Sequence, residues 1–145
     1  MLRHLERLQG EKPSPFHRTL QAVLEGEIAL AGGKLKDAEA AFRLAVDGYP
    51  GSEAHEGLAR VLARRKEWSP AVEEWNRVLA LRGDILQVGF AADWPLAHLG
   101  LARTCRDAGD RGCAKHHYET FISLWQRGDS SIRRDAEEEL RQLVR

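Results

Sequence analysis

Chemistry in this 145-residue chain would first be sought around Cys105, Cys113, His116 and His117, where thiols and imidazoles crowd together. On a helix Cys113 can share a face with either histidine, and Cys105 is a candidate fourth ligand. Their spacing matches no zinc pattern, however, and adjacent histidines on a helix point about 100° apart. Packing and solvent therefore account for them better, and no metal is expected. Two cysteines make no disulfide framework, so reduced thiols and a cytoplasmic location are the expectation. A cystine would need Cα atoms within about 7 Å, a separation that spacing alone does not supply. No G-x-S-x-G, P-loop, H-E-x-x-H, G-x-G-x-x-G or CxxC occurs, and the many carboxylates fall on surface helices. The reading is of a non-enzyme without cofactors.

Charge narrows the partners. Twenty-two basic residues balance 22 acidic ones, so the chain lacks the basic excess that displaces counterions from nucleic acid. No run approaches the ~18 apolar residues of a membrane span. The first ten residues, MLRHLERLQG, have no apolar core of a signal peptide. A composition 43% hydrophobic and 30% charged suits one globular domain spanning 1–145.

The elements that would position these residues are helices throughout. Leu2, Leu5 and Leu8 mark a short amphipathic helix over 1–9, stopped by GEKPSP. Patterned helices follow over 16–31 and 34–48, separated by Gly32-Gly33 and closed by Pro50. The next pair covers 51–65 and 69–81, with Ser69 read as an N-cap and Pro70 as the first helical residue. A third pair opens at Asp93-Trp94-Pro95 on the same logic and runs through His98–Phe121. A last, highly charged helix over 131–144 keeps Ile132, Ala136, Leu140 and Leu143 on one face.

These pairs repeat. Gly26, Ala59 and Ala102 align, and twelve residues on stand Ala38 (38−26), Ala71 (71−59) and Ala114 (114−102). Further columns hold Phe42, Trp75 and Tyr118; Ala45, Val78 and Phe121; and Ala29, Leu62 and Cys105. Small residues let two helices approach closely, and the aromatic fills the wedge to the next pair. The pattern resembles tetratricopeptide (TPR) repeats over residues 19–125. It is carried by Leu58-Ala59-Leu62, Leu101-Ala102-Cys105, the alanine and aromatic columns, and Pro50. Glu25 stands where that family usually has Leu, and His55 and His98 where it has Trp.

The resemblance implies an all-α, right-handed α-solenoid of three helix-turn-helix repeats (16–50, 51–82 and 94–127). An N-terminal helix precedes them, in the register expected of the remnant of a further repeat in a longer chain, and 130–145 forms a capping helix. An apolar insert over 83–93 carries Leu86 and Phe90, either packed back on the solenoid or contacting a partner. The implied function is a non-catalytic scaffold holding a peptide or partner helix in a concave groove. Its exposed positions include Glu27, Glu53, Glu56, Arg60, Arg64, Arg103 and Arg106. Arg60 and Arg103 share a column, and two stacked guanidinium groups would suit carboxylates or an acidic peptide. The plainer account is a solvated face, salt-bridged to Glu56 and Asp107. The family's clamp for a chaperone's terminal carboxylate is not expected, because Val23, Glu27, Gly57, Leu96 and Gly100 occupy its positions. The alternative function is a regulatory, self-associating segment of a larger signalling enzyme such as a bacterial kinase.

Overall fold

The computed structural model describes residues 14–83 and 92–145. The proposed N-terminal helix over 1–9 lies outside them, as does most of the insert, including Leu86 and Phe90. Among the described residues the fold is all-helical, with seven helices and no strand. In chain order these are α1 (Pro15–Ala31), α2 (Leu35–Gly48), α3 (Ser52–Arg64), α4 (Trp68–Ala80), α5 (Asp93–Asp107), α6 (Arg111–Leu124) and α7 (Ser130–Val144).

Each helix packs chiefly on its neighbours in the chain, and α3 also touches α1 and α5. Three hairpins result: α1–α2, α3–α4 and α5–α6, with α7 laid on α6. Their turns are built alike. In the first, Lys34 N donates to Ala29 O and Gly33 N to Leu30 O. In the second, Glu67 N donates to Leu62 O and Lys66 N to Ala63 O. In the third, Asp110 N donates to Cys105 O and Gly109 N to Arg106 O. These bonds satisfy carbonyls that a helix end leaves open, and they require a left-handed residue after the helix. Gly33 (φ 72°), Lys66 (φ 62°) and Gly109 (φ 85°) supply it.

Lysine in that conformation brings its Cβ against the carbonyl, at about 1–2 kcal/mol. Lys66→Gly is therefore expected to stabilise the fold by roughly 0.5–1 kcal/mol, after the entropic cost of glycine. A urea midpoint shifted upward at unchanged slope is the result to look for.

Two helix starts differ from the sequence reading. The α4 helix begins at Trp68 with Glu67 at the cap position, so Ser69 is inside the helix and caps nothing. The α5 helix begins at Asp93 after Ala92. In both, proline sits third in the helix (Pro70 and Pro95) rather than first. The first four N–H groups of a helix have no partner within it, so proline is tolerated there too. Caps that do form are Ser14, Asp110 and Asp129, whose side chains accept from His17 N, Cys113 N and Ser131 N.

The core is the column pattern made solid. Fourteen of the fifteen residues in the five columns are buried, Ala29 alone being half-buried. Phe42, fully buried, wedges between Gly26 and Gly57; a Cβ on Gly26 would meet its ring at 2.8 Å. Trp75 lies likewise against Gly100 and donates from Nε1 to Thr104 Oγ1 at 3.0 Å. Tyr118 makes the corresponding step onto α7, close to buried Ala136. A close-packed interior fixes the successive hairpins against each other in this way.

The expectation of reduced thiols is corrected. Cys105, at the end of α5, and Cys113, at the start of α6, are joined by a disulfide with Cα atoms 5.8 Å apart. The tight turn at Gly109 brings the two helix ends together, and that separation falls inside the range a cystine spans.

Candidate functional site

The surface shared by the first helices of the hairpins, α1, α3 and α5, holds most of the residues singled out above. Arg60 and Arg103, which share a column in the sequence, are not left as a free guanidinium pair. Arg60 Nη1 is bound to Glu27 Oε1 at 2.8 Å, one hairpin back. Arg103 grips Glu139 of α7 through Nε and Nη2, at 3.1 and 2.7 Å. Arg64 donates to the backbone oxygen of Leu30 at 2.9 Å, and Arg106 to Asp107 and Glu139, each at 2.8 Å. Each positive charge therefore already has a partner. The expected carboxylate-binding pair is not formed, because each arginine reaches an acid or carbonyl on the adjacent helix first.

What remains uncompensated is acidic. Burial pushes the Glu56 carboxyl above its ordinary value; Arg60 opposes this, while Asp93, Glu27 and Glu53 add to it. Asp93 is raised as well, by burial and by Glu53. Among the described residues, Glu53, Glu56 and Asp93 make no salt bridge with a basic group. The cluster forms because α5 starts with Asp93 beside the first two turns of α3. A cationic side chain placed among them would relieve the repulsion and lower the Glu56 and Asp93 pKa values.

Glu139 is a hub that the sequence reading missed. Besides its two arginines it accepts the Tyr118 hydroxyl at 2.6 Å. Burial would raise its carboxyl, but the hydrogen bonds from Arg103 and Tyr118 overcome this and hold it below the ordinary value. The repeat register gave no signal for it, because Arg60 reaches an acid 33 residues before it and Arg103 one 36 residues after it. Beside it, a cavity of about 330 Å³ is lined by Arg106, Arg111, Glu139, Gln142, Leu143 and Arg145.

The histidines form no ligand set. Cys105 and Cys113, as a cystine, offer no thiolate, and no group of three metal-binding side chains exists among the described residues. His55 and His98, which stand where the tetratricopeptide pattern has Trp, are buried at 6% and 7% exposure, each with a polar partner on the second helix of its hairpin. His55 Nδ1 lies 2.6 Å from Glu74 Oε2, and His98 Nδ1 lies 2.9 Å from His117 Nδ1. Glu74 and His117 hold equivalent places 43 residues apart (117−74), as do the histidines (98−55). The remaining nitrogen of His98, Nε2, is buried without a partner.

No protein-family model matches the chain, and no curated protein matches it. The geometry therefore carries the functional argument alone. It supplies charged surfaces on a stack of helical hairpins. No described helix is long and apolar enough to cross a membrane.

Burial, then the proximity of His117 and His116, pushes the His98 pKa down from 6.5 to about 4. Between those values the unfolded chain binds a proton that the folded chain refuses. Stability is therefore complete above pH 6.5 and falls as the pH is lowered towards 4. At pH 4.5 the loss is on the order of 2 kcal/mol. Urea midpoints at pH 7 and 4.5 measure it, and His98→Leu should flatten the difference.

Proposed function

We propose that the chain is a non-catalytic protein-interaction scaffold of the tetratricopeptide type. Residues 16–50, 51–82 and 94–127 are its three repeats in a right-handed solenoid, and 130–145 its cap. The three identical turn geometries and the twice-repeated docking of an aromatic onto the next hairpin's glycine support that reading. The first helices line its groove, which receives a peptide or a partner helix.

The observation that carries the ligand class is the uncompensated cluster of Glu53, Glu56 and Asp93, set against arginines that are already paired. The groove thus suits a lysine- or arginine-bearing segment rather than the acidic peptide that the arginine column alone suggested. Cytoplasmic placement was argued from reduced thiols, and a cystine instead favours an oxidising compartment.

Fluorescence anisotropy with labelled helical peptides, one Lys/Leu-rich and one Glu/Leu-rich, tests the ligand class. The basic peptide should bind, weaken about tenfold or more with Glu53→Lys plus Glu56→Lys, and weaken with added salt. Affinity should also drop as the pH falls and Glu56 takes up a proton. Equal binding of the acidic peptide, or indifference to the double substitution, would overturn this assignment.

A further inference from the structure

The second and third hairpins tie their two helices together at the same place with different chemistry. In the second, His55 of α3 meets Glu74 of α4 at 2.6 Å; in the third, His98 of α5 meets His117 of α6 at 2.9 Å, Nδ1 to Nδ1. A proton on His55 leaves that ring facing a carboxylate. A proton on the third pair meets only imidazoles. The charged groups that bear on His98 are His117 and His116, and His116 bears on His117. No described element packed there brings a carboxylate to the pair. Arg82, just after α4, lies over the Trp94 ring at 4.5 Å. Glu139 of α7 is taken up by Arg103, Arg106 and Tyr118, and Glu119 of α6 by Lys115 at 3.8 Å. Asp93 of α5 stands with Glu53 and Glu56 of α3. Within 84–91 the sequence has one ionisable side chain, Asp84.

His98 is 7% exposed, and its Nε2 has no partner among the described residues. We assign the tautomer in which His98 Nδ1 donates to His117 Nδ1, since the reverse would strand a buried N–H on Nε2. A further proton then has two destinations. On His98 Nε2 it would be buried without an acceptor; on His117 Nδ1 it would consume the lone pair that makes the bond. The place of this bond in the hairpin matters. The turn end is fastened by the Cys105–Cys113 cystine and by Arg103 and Arg106, which reach Glu139 of α7. His98 lies seven residues before Cys105 (105−98), about 10 Å along the helix. Beyond it Trp94 keeps α5 on α4, donating from Nε1 to Leu79 O at 3.4 Å and meeting the His98 ring edge-on at 4.8 Å. If the imidazole bond fails, α6 parts from α5 while α5 stays on α4.

We infer that the third hairpin is an acid-opened hinge, with the cystine as its pivot and the His98–His117 bond as its latch. Closed, the hairpin refuses protons. Burial first, then His117 and His116, pushes His98 from 6.5 to about 4, and burial with His116 lowers His117. Open, the imidazoles regain their ordinary affinity for protons. The open population therefore climbs as the pH falls through 6.5, until near 4 the closed form takes up the proton as well. Between pH 7.5 and 5.5 His98 alone raises it about tenfold. The acid loss of stability is thus gathered in one hairpin, and the half of α6 that swings out carries fully buried Phe121. The device is independent of the groove and its ligand.

Hydrogen exchange of the full, oxidised chain, corrected for the intrinsic pH dependence of amide exchange, tests it. Between pH 7.5 and 5.5 the opening constants of amides from Lys115 to Leu124 should rise about tenfold or more relative to those of α3 and α4. Amides beside the cystine should stay protected. His117→Glu rebuilds the His–Glu pair of the second hairpin and should abolish the rise. His98→Leu, which removes one titrating ring from the latch, should cut it several-fold, and Asp84→Asn should leave it unchanged. No change with pH, or equal loosening of every helix, would overturn the inference. So would a rise unaffected by His117→Glu or by His98→Leu, or one lost on Asp84→Asn, since control would then lie with the stretch before α5.

Discussion

Phe42→Ala should destabilise the fold by about 3–5 kcal/mol, the range for deleting a buried aromatic ring from a core that cannot fully collapse. The ring is fully buried between Gly26 of its own hairpin and Gly57 of the next, so its loss opens a cavity at the joint between two hairpins. Phe42 is the largest fully buried side chain at the joint between the first and second hairpins. Hydrogen exchange should therefore show residues 15–48 losing protection before the rest. The converse substitution sharpens the point. Gly57→Ala places a methyl inside the space the ring occupies, and overpacking of that kind costs about 1–3 kcal/mol. Combining Gly57→Ala with Phe42→Leu makes room for the methyl, so the double variant should be more stable than the sum of the single losses predicts. Urea unfolding of the four proteins gives the coupling; additive losses would mean that ring and glycine do not meet as described.

Glu139→Ala should cost about 2–3 kcal/mol, although Glu139 belongs to the terminal helix. Its carboxylate accepts from Tyr118, Arg103 and Arg106, and its removal strands a buried phenol and two guanidinium groups. The estimate stays below the 3–5 kcal/mol of a fully buried pair because both arginines remain part-exposed. Glu139→Gln keeps an acceptor without the charge and should cost about 1 kcal/mol. The sign of the pH effect follows from the depressed carboxyl. Its contribution is complete above the ordinary value of 4.5 and is lost as the pH falls through the lower folded value. The gap between wild type and Glu139→Ala should therefore close in acid, as thermal melts at pH 7 and pH 3 would show. Trypsin should also cut within α7 of the alanine variant sooner, because that helix is held by this cluster and by a thin apolar stripe.

The helices and their pairing are legible in the sequence because they rest on local chemistry. Apolar residues at helical spacing, Gly33 and Gly109 at turns and proline near helix starts all act within a few positions of themselves. The five columns were equally legible, since a repeated packing problem selects the same residue sizes at the same places. Gly26 and Phe42 announce their contact by recurring as Ala59 with Trp75 and Ala102 with Tyr118. The turn at Lys66 was hidden because lysine carries no preference for the left-handed conformation; only its neighbours' hydrogen bonds force it there.

The charged site was decided by the tertiary structure. Arg60 and Arg103 look like a pair in the sequence, since a column records which face a residue occupies and not which neighbour it reaches. Docking of α1 beside α3 gives Arg60 to Glu27, and docking of α7 on α6 gives Arg103 to Glu139, leaving the acids Glu53, Glu56 and Asp93 unmatched. The cystine was decided in the same way. Cys105 and Cys113 are eight residues apart in the chain, a spacing compatible with joining or with separation. The left-handed turn at Gly109 selects joining by reversing the chain between them. Local patterns thus determine which helices form and which faces they bury. Which charges meet depends on distances between helices, and those exist only once the core has packed.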